Sequence, residues 1–313
     1  MPPPPATGTR RIAWEALPPR VRSALEAVLG APVAGAASLP GGFSEGVAAR
    51  LRLATGQDVF LKAVSAATAP AIAGFHRRER AVTSRLPSAA PVPRLLGAYD
   101  DGTWVALLFE HVTGALPAQP WRPADLGRVL ATATGLAATL TPSPVPRAET
   151  ARPRLGGWSD LRGAPGLARV SSWAAGHLDE LIALEAAAAE TLAGDTLLHG
   201  DLYPFNVLLD PDRPGPGGVH VVDWPHAWVG AAHADMLTLM ANAVLSGLDP
   251  EPLRRTNPLT ADLPRDTVDA FLAAHAGFLV RLAVTAGPGA DPNLIAMATA
   301  LGRASLEWLE SRR

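Results

Sequence analysis

The sequence predicts an α+β protein in two lobes, a five-stranded N-terminal lobe followed by a mainly helical C-terminal one. Three observations carry this. Between residues 33 and 110, short apolar runs and glycine- or aspartate-rich turns succeed one another in the order strand, strand, strand, helix, strand, strand. After Thr113-Gly114 the apolar residues take the helical period and keep it to the C-terminus. A single hairpin, with strands at 207–210 and 219–223 and a Pro/Gly-rich tip between them, interrupts those helices.

Each element has its own signal. Residues 14–29 carry Leu17, Val21, Leu25 and Leu29 at helical spacing and stop at Gly30. Strands follow at 33–39, 47–53 and 59–64, separated by the glycine-rich turn 40–46 and by Thr55-Gly56-Gln57-Asp58. A polar-faced helix spans 72–86. A loop containing Pro91 and Pro93 then leads to strands 95–99 and 104–110, which an Asp100-Asp101-Gly102 turn joins. Helices are expected at 123–140, 170–192, 235–246 and 267–312, with a Pro/Arg-rich connection at 141–154 and residues 196–199 leading into the hairpin. The lobes divide as 1–112 and 113–313, with a cleft at their junction near residues 109–114, the kind of place ligands favour.

Composition excludes several classes of function. The chain has 313 residues, 48% hydrophobic and 18% charged, enough for a sizeable core and far from a disordered composition. Its net charge of −2 comes from interspersed acids and bases, with no basic patch for nucleic acid or an anionic membrane. Without cysteine there can be no disulfide, thiolate metal site or thiol nucleophile. The N-terminus shows no apolar signal region, and His275 and Arg281 interrupt the apolar stretch 268–286. The expectation is a cytoplasmic protein with neither a nucleic-acid nor a membrane partner.

Two features point to chemistry. Lys62 is the only lysine; every other basic side chain counted with it is an arginine. It stands in an apolar strand, where a compact ammonium can fit beside a phosphate and a planar guanidinium cannot do so equally. The second feature is His199-Gly200-Asp201-Leu202-Tyr203-Pro204-Phe205-Asn206, followed across the hairpin by Val221-Val222-Asp223-Trp224. Phosphoryl transfer needs a carboxylate to position and deprotonate the attacking hydroxyl, and oxygen ligands for a metal on the phosphates. Asp201 suits the first role; Asn206 and Asp223 suit the second. A polar surface loop is the bland alternative, and the order of loop, hairpin and acidic strand end argues against it. His199 reads as a packed core histidine. His226 and His233 lack the spacing of a metal site. Asp235 reads as a helix N-cap. Trp158, Trp173, Trp228 and Trp308 are candidates to stack on a ligand ring, although helical tryptophans are more often core.

These segments, together with 39–46, 91–95 and 107–114, resemble in the same order the aminoglycoside phosphotransferase and choline kinase superfamily, small-molecule kinases of the protein-kinase-like fold. The resemblance covers about residues 33–239. It implies ATP or GTP with Mg²⁺, and a small hydroxylated acceptor. An antibiotic leads, and an amino alcohol, sugar or amino acid is the alternative; a silent nucleotide-binding module is disfavoured by the joint presence of Lys62, Asp201, Asn206 and Asp223. It further implies that Gly42, Ser44 and Gly46 cover the phosphates, Glu79 pairs with Lys62, and the main chain of 110–112, from Glu110 to Val112, meets the base. His199 and Asp235 would support the catalytic loop. Tyr203 replaces the lysine of serine/threonine protein kinases, Asp223-Trp224-Pro225 replaces their D-F-G, and no A-P-E follows, so no protein substrate is expected. Acids and arginines are near balance in the helical segments, which gives no push toward a polyamine acceptor.

Overall fold

The computed structural model describes residues 11–39, 46–213 and 215–313. Gly42 and Ser44 lie outside the described residues. A short 3₁₀ turn, Trp14–Ala16, precedes α1 (Pro19–Leu29), so the helix expected from residue 14 begins at Pro19, a residue pre-set for a first helical turn. Gly30, at φ 70°, ends it in the left-handed conformation. Strands β1 (Val33–Ser38), β2 (Val47–Leu53) and β3 (Asp58–Ser65) form an antiparallel meander. After α2 (Pro70–Thr83), β4 (Leu95–Asp100) and β5 (Trp104–Glu110) complete a five-stranded sheet of order β1-β2-β3-β5-β4. Lys62 lies in β3, in the middle of this sheet, opposite Ala48 of β2 and Leu107 of β5. Residues Val21 and Leu25 of α1 pack with Leu51, Leu61 and Leu108 into the core of this lobe.

The second lobe begins with α3 (Pro123–Thr139). Instead of one helix over 170–192 there are three pieces, α4 (Leu167–Val170), α5 (Ser172–Gly176) and α6 (Leu178–Thr191). Ser171 breaks the run: its backbone is extended, and its hydroxyl accepts from the Ala174 N–H as an N-cap. Strand β6 (Thr196–Leu198) pairs with β9 (Trp228–Gly230), and between them β7 (Val207–Leu209) and β8 (Val219–Val221) make the hairpin. The remaining helices are α7 (His233–Ala243), α8 (Pro250–Thr256), α9 (Arg265–Val284) and α10 (Pro292–Ser311). The single long helix expected over 267–312 is thus two helices, divided where Gly287-Pro288-Gly289 stands, with Asp291 capping α10 through the Asn293 N–H. Helix α9 is long and apolar enough to cross a membrane, yet most of it is buried inside the fold, where it packs against α6 and α10. Trp158, Trp228 and Trp308 are core residues, and Trp173 stacks on His177, 4.6 Å between centroids.

Candidate active site

Four segments converge between the lobes. The Arg78 guanidinium donates to the Pro225 carbonyl at 3.3 Å, the Val221 N–H to the Pro91 carbonyl at 2.8 Å, and Phe75 meets His226 edge-on. These bonds hold α2 and the loop after it against the end of the hairpin, and that registers the two halves of the site.

In the upper half, Lys62 Nζ donates to Glu79 Oε1 and Oε2 at 2.8 and 3.0 Å and to Asp223 Oδ1 at 2.5 Å. Glu79 is 2% exposed, so it does not belong to the charged outer face of α2; Arg77 on that face pairs with Asp100. Burial works against the charge on Lys62, but Asp223 and Glu79 outweigh it and hold its pKa above the ordinary lysine value. For Asp223 burial acts upward, and Lys62 more than reverses it, to about 2. Burial raises Glu79 despite Lys62. His76, one turn before Glu79, is kept neutral by burial and by Lys62, with a pKa of about 3. Gly46 leads into β2 at φ 112°, and a Cβ there would stand 2.3 Å from the Ala63 carbonyl oxygen. Only glycine allows the chain to pass this close to the strand carrying Lys62.

In the lower half, Asp235 sits in the first turn of α7, where its oxygens accept from the His199 N–H at 2.7 Å and the Gly200 N–H at 3.0 Å. The residue at the N-cap position is Ala232, so the capping role read from the sequence is replaced by a brace on the loop before Asp201. His199 is fully buried. Its Nδ1 accepts from the Asp201 N–H, which makes Nε2 the donor to the Val222 carbonyl at 2.9 Å. Gly200 turns the chain at φ 75°, and a Cβ there would lie 2.4 Å from the His226 carbonyl oxygen. Asp201 then accepts from Arg154 Nη1 at 2.9 Å on Oδ1 and from Asn206 Nδ2 at 3.1 Å on Oδ2. Asn206 Nδ2 also donates to the Asp201 carbonyl at 2.8 Å, which reserves Oδ1 as the amide's ligand atom. The Val222 N–H donates to the Asn206 carbonyl at 2.9 Å, tying the loop to the hairpin.

Asp223 has φ 69°, the one non-glycine residue with positive φ among those described. Its neighbours impose this conformation. The Trp224 N–H reaches Glu79 at 3.3 Å, and the buried Trp224 ring packs edge-on against His199, 4.8 Å away. Strand β8 therefore ends at Val221, two residues before the expected end, and the carboxylate turns to Lys62. Strain of this kind, order of 1–3 kcal/mol, persists where the surroundings over-determine it.

Glu110 pairs with Arg94 on the surface at 3.0 Å, and the strand ends there, so Val112 belongs to the irregular link to the second lobe. No group of three or more His, Asp or Glu side chains able to hold a metal occurs among the described residues. Three residues of the site carried no sequence signal of their role. Arg154 was one arginine in an arginine-rich connection, His275 lay inside an apolar helix, and Tyr203 counted only as a departure from a pattern. The Tyr203 hydroxyl meets His275 Nε2 at 2.7 Å, and His275 Nδ1 meets Ser305 Oγ at 2.8 Å.

A strand lysine joined to a helix carboxylate and a hairpin aspartate, with a loop bonded to that hairpin presenting a second aspartate beside an asparagine, defines the class as a kinase-like phosphotransferase. Residues 39–257 match the model of the phosphotransferase enzyme family, and the chain belongs to that family, within the aminoglycoside phosphotransferase and choline kinase superfamily. No protein of curated function matches the sequence significantly. Among solved structures, a spectinomycin phosphotransferase in complex with ADP and spectinomycin aligns over 92% of this chain and 98% of its own, at 10% identity and a TM-score of 0.57. The GDP complex of an aminoglycoside 2'-phosphotransferase-IIIa mutant aligns over 90% and 91%, at 14% identity and 0.52. A protein assigned as a fructosamine-3-kinase, from Haemophilus somnus 129PT, aligns over 91% and 96%, at 14% identity and 0.50. At such identities the likeness is one of fold.

Proposed function

We propose that the protein transfers the terminal phosphoryl group of ATP or GTP to a hydroxyl of a small molecule, with Asp201 as the base and lobes dividing at residues 112 and 113. The observation that carries this reading is the fixed Asp201 carboxylate, held by Asn206 on one oxygen and by Arg154 on the other, on a loop tied to the hairpin that carries Asp223. Lys62, fixed by Glu79, would hold the phosphate chain, and the loop containing Gly42, Ser44 and Gly46 would cover it. The backbone from Glu110 to Val112 would meet the base.

The residues fit Mg²⁺. Asp223 is 43% exposed at its side chain, and Asn206 offers Oδ1, a carboxylate and an amide oxygen of the kind this hard cation takes while phosphates and water complete its shell. When bound, the ion would neutralise charge on the phosphates. Asp201 accepts the acceptor's proton as the hydroxyl attacks in line, so the hydroxyl must lie within hydrogen-bond reach of its carboxylate. An antibiotic acceptor is favoured by the structural similarity to antibiotic kinases. The cytoplasm, where nucleoside triphosphates are available, is the compartment this reading requires.

Nucleoside diphosphate release with and without a panel of hydroxylated antibiotics and metabolites tests the proposal. Acceptor-dependent release that vanishes in Asp201→Asn is expected; release indifferent to every acceptor and to that substitution would refute it. In nucleotide titrations, Asp223→Ala should lose the Mg²⁺ dependence of binding more completely than Asn206→Ala, because it removes formal charge. Full metal dependence in both variants would overturn the metal assignment.

A further inference from the structure

Beside Asp201 and Tyr203, which line it, lies a recess whose other walls come from three places: Arg154 from the loop before residue 159, Phe278 and Leu282 from α9, and Met297 and Leu301 from α10. Among the described residues Asp201 is the only carboxylate lining it, and Arg154 already matches that charge at 2.9 Å. The one other titratable lining group besides Tyr203 is His275, which burial keeps neutral with a pKa of about 4. Around this matched pair the surface is aliphatic, thioether and aromatic.

Arg154 is held in place by its surroundings. The backbone on either side is pinned by the Ala151 N–H to the Ala227 carbonyl at 2.7 Å and the Gly156 N–H to the Ala274 carbonyl at 2.6 Å. The guanidinium lies over the Phe278 ring, 4.8 Å from its centroid. A second guanidinium, that of Arg281, lies 5.9 Å from the same ring. A planar fork stacked on a ring keeps its remaining N–H groups in the plane, where they can meet carbonyl or carboxylate oxygen.

We propose that Arg154 reads the acceptor, and that the molecule phosphorylated here is an apolar-bodied alcohol with a carboxylate or carbonyl oxygen next to the reacting hydroxyl. The proposal rests on the assignment of Asp201 as the base. A hydroxyl within reach of Asp201 places its neighbouring substituent beside Arg154. An ammonium there would face a guanidinium, with no unmatched carboxylate among the described residues of the recess to compensate it, so amino sugars and other polyamines are disfavoured. An oxygen there would receive charge-assisted hydrogen bonds, and the hydrocarbon body would cover Phe278, Leu282 and Met297.

Three probes on one skeleton separate the possibilities: mandelate, mandelamide, and 2-amino-1-phenylethanol, which carry carboxylate, amide and ammonium next to the same benzylic hydroxyl. Each is titrated by calorimetry into the full chain with MgADP present. Hydrogen bonds to a charged group predict that mandelate binds about 10- to 100-fold more tightly than the amino alcohol, with the amide between them. Arg154→Ala should erase the order, and Arg154→Glu should reverse it in favour of the amine, a reversal that a purely structural role for Arg154 would not produce. Equal or tighter binding of the amino alcohol by the wild type, no binding of any of the three, or an order unmoved by Arg154→Glu would overturn the inference. If MgADP binds normally and turnover still depends on Asp201, the phosphotransferase reading survives that failure; if nucleotide does not bind, both fall.

Discussion

Lys62 shows how much a single side chain can be asked to do. Its side chain is 15% exposed, and its ammonium satisfies Glu79 and Asp223 together and lies 5.9 Å from the Phe109 ring centroid. A guanidinium is longer and planar and could not hold both carboxylates from the same strand position. Lys62→Arg should therefore fail nearly as badly as Lys62→Ala, since a misplacement of about 1 Å can cost about 10²-fold in rate. Steady-state kinetics on the folded variants decides this, and most of the activity surviving in Lys62→Arg would make the lone lysine an accident of composition. Asp201 makes a different prediction, because both its side-chain partners belong to the lower half of the site. Asp201→Asn should lower kcat by about 10²- to 10⁴-fold while nucleotide affinity stays unchanged. Turnover close to wild type would remove Asp201 from the chemistry.

At the scale of elements, the site depends on α7 presenting Asp235 to the loop before Asp201. Asp235→Asn replaces one acceptor oxygen by a donor, leaving either the His199 or the Gly200 N–H facing an N–H of its own kind. The expected cost is about 1–3 kcal/mol of stability, with a fall in kcat and an unchanged nucleotide Kd; unchanged melting and kcat would show that the brace carries no weight. This contact also shows what could be read from the sequence. The sheet was legible strand by strand because β2, β3 and β5 are apolar runs bounded by turn residues, and the loop and hairpin were legible because their spacing is local. The breaks within 170–192 and 267–312 were less so, since alanine- and leucine-rich segments keep their helical period across a cap. The pairing of β6 with β9 joins residues about thirty apart in sequence, and neither strand has more than three residues to announce it. Arg154, Tyr203 and His275 meet only through the packing of α9 and α10 against the loop, which no local pattern encodes.

For the whole molecule, four histidines make acid the weak side. His226, His233 and His275 have pKa values of about 4, each lowered first by burial, and His76 is at about 3, against 6.5 for an unburied imidazole. An unfolded chain would bind protons at all four as pH falls below 6.5, and the folded one would not. Stability is then fully present above that pH and is lost progressively toward pH 4, by at most about 1.4 kcal/mol per pH unit for each such histidine. Glu79 and Asp235, raised by burial, oppose this trend over the range above their ordinary values. Asp223, held at about 2 beside Lys62, stays ionised throughout, so the ion pair does not cause the loss. His233 isolates the effect. Its Nε2 is buried with no hydrogen-bond partner, and burial is the only cause of its shift. Replacing it by an apolar ring removes a group that must gain a proton on unfolding in acid and breaks no bond at Nε2. His233→Phe should therefore raise Tm at pH 5 by more than at pH 7, flattening the curve between them. A Tm independent of pH from 7 to 4.5 in the wild type, or parallel curves for the two proteins, would show that these buried imidazoles do not set the acid limit of the fold.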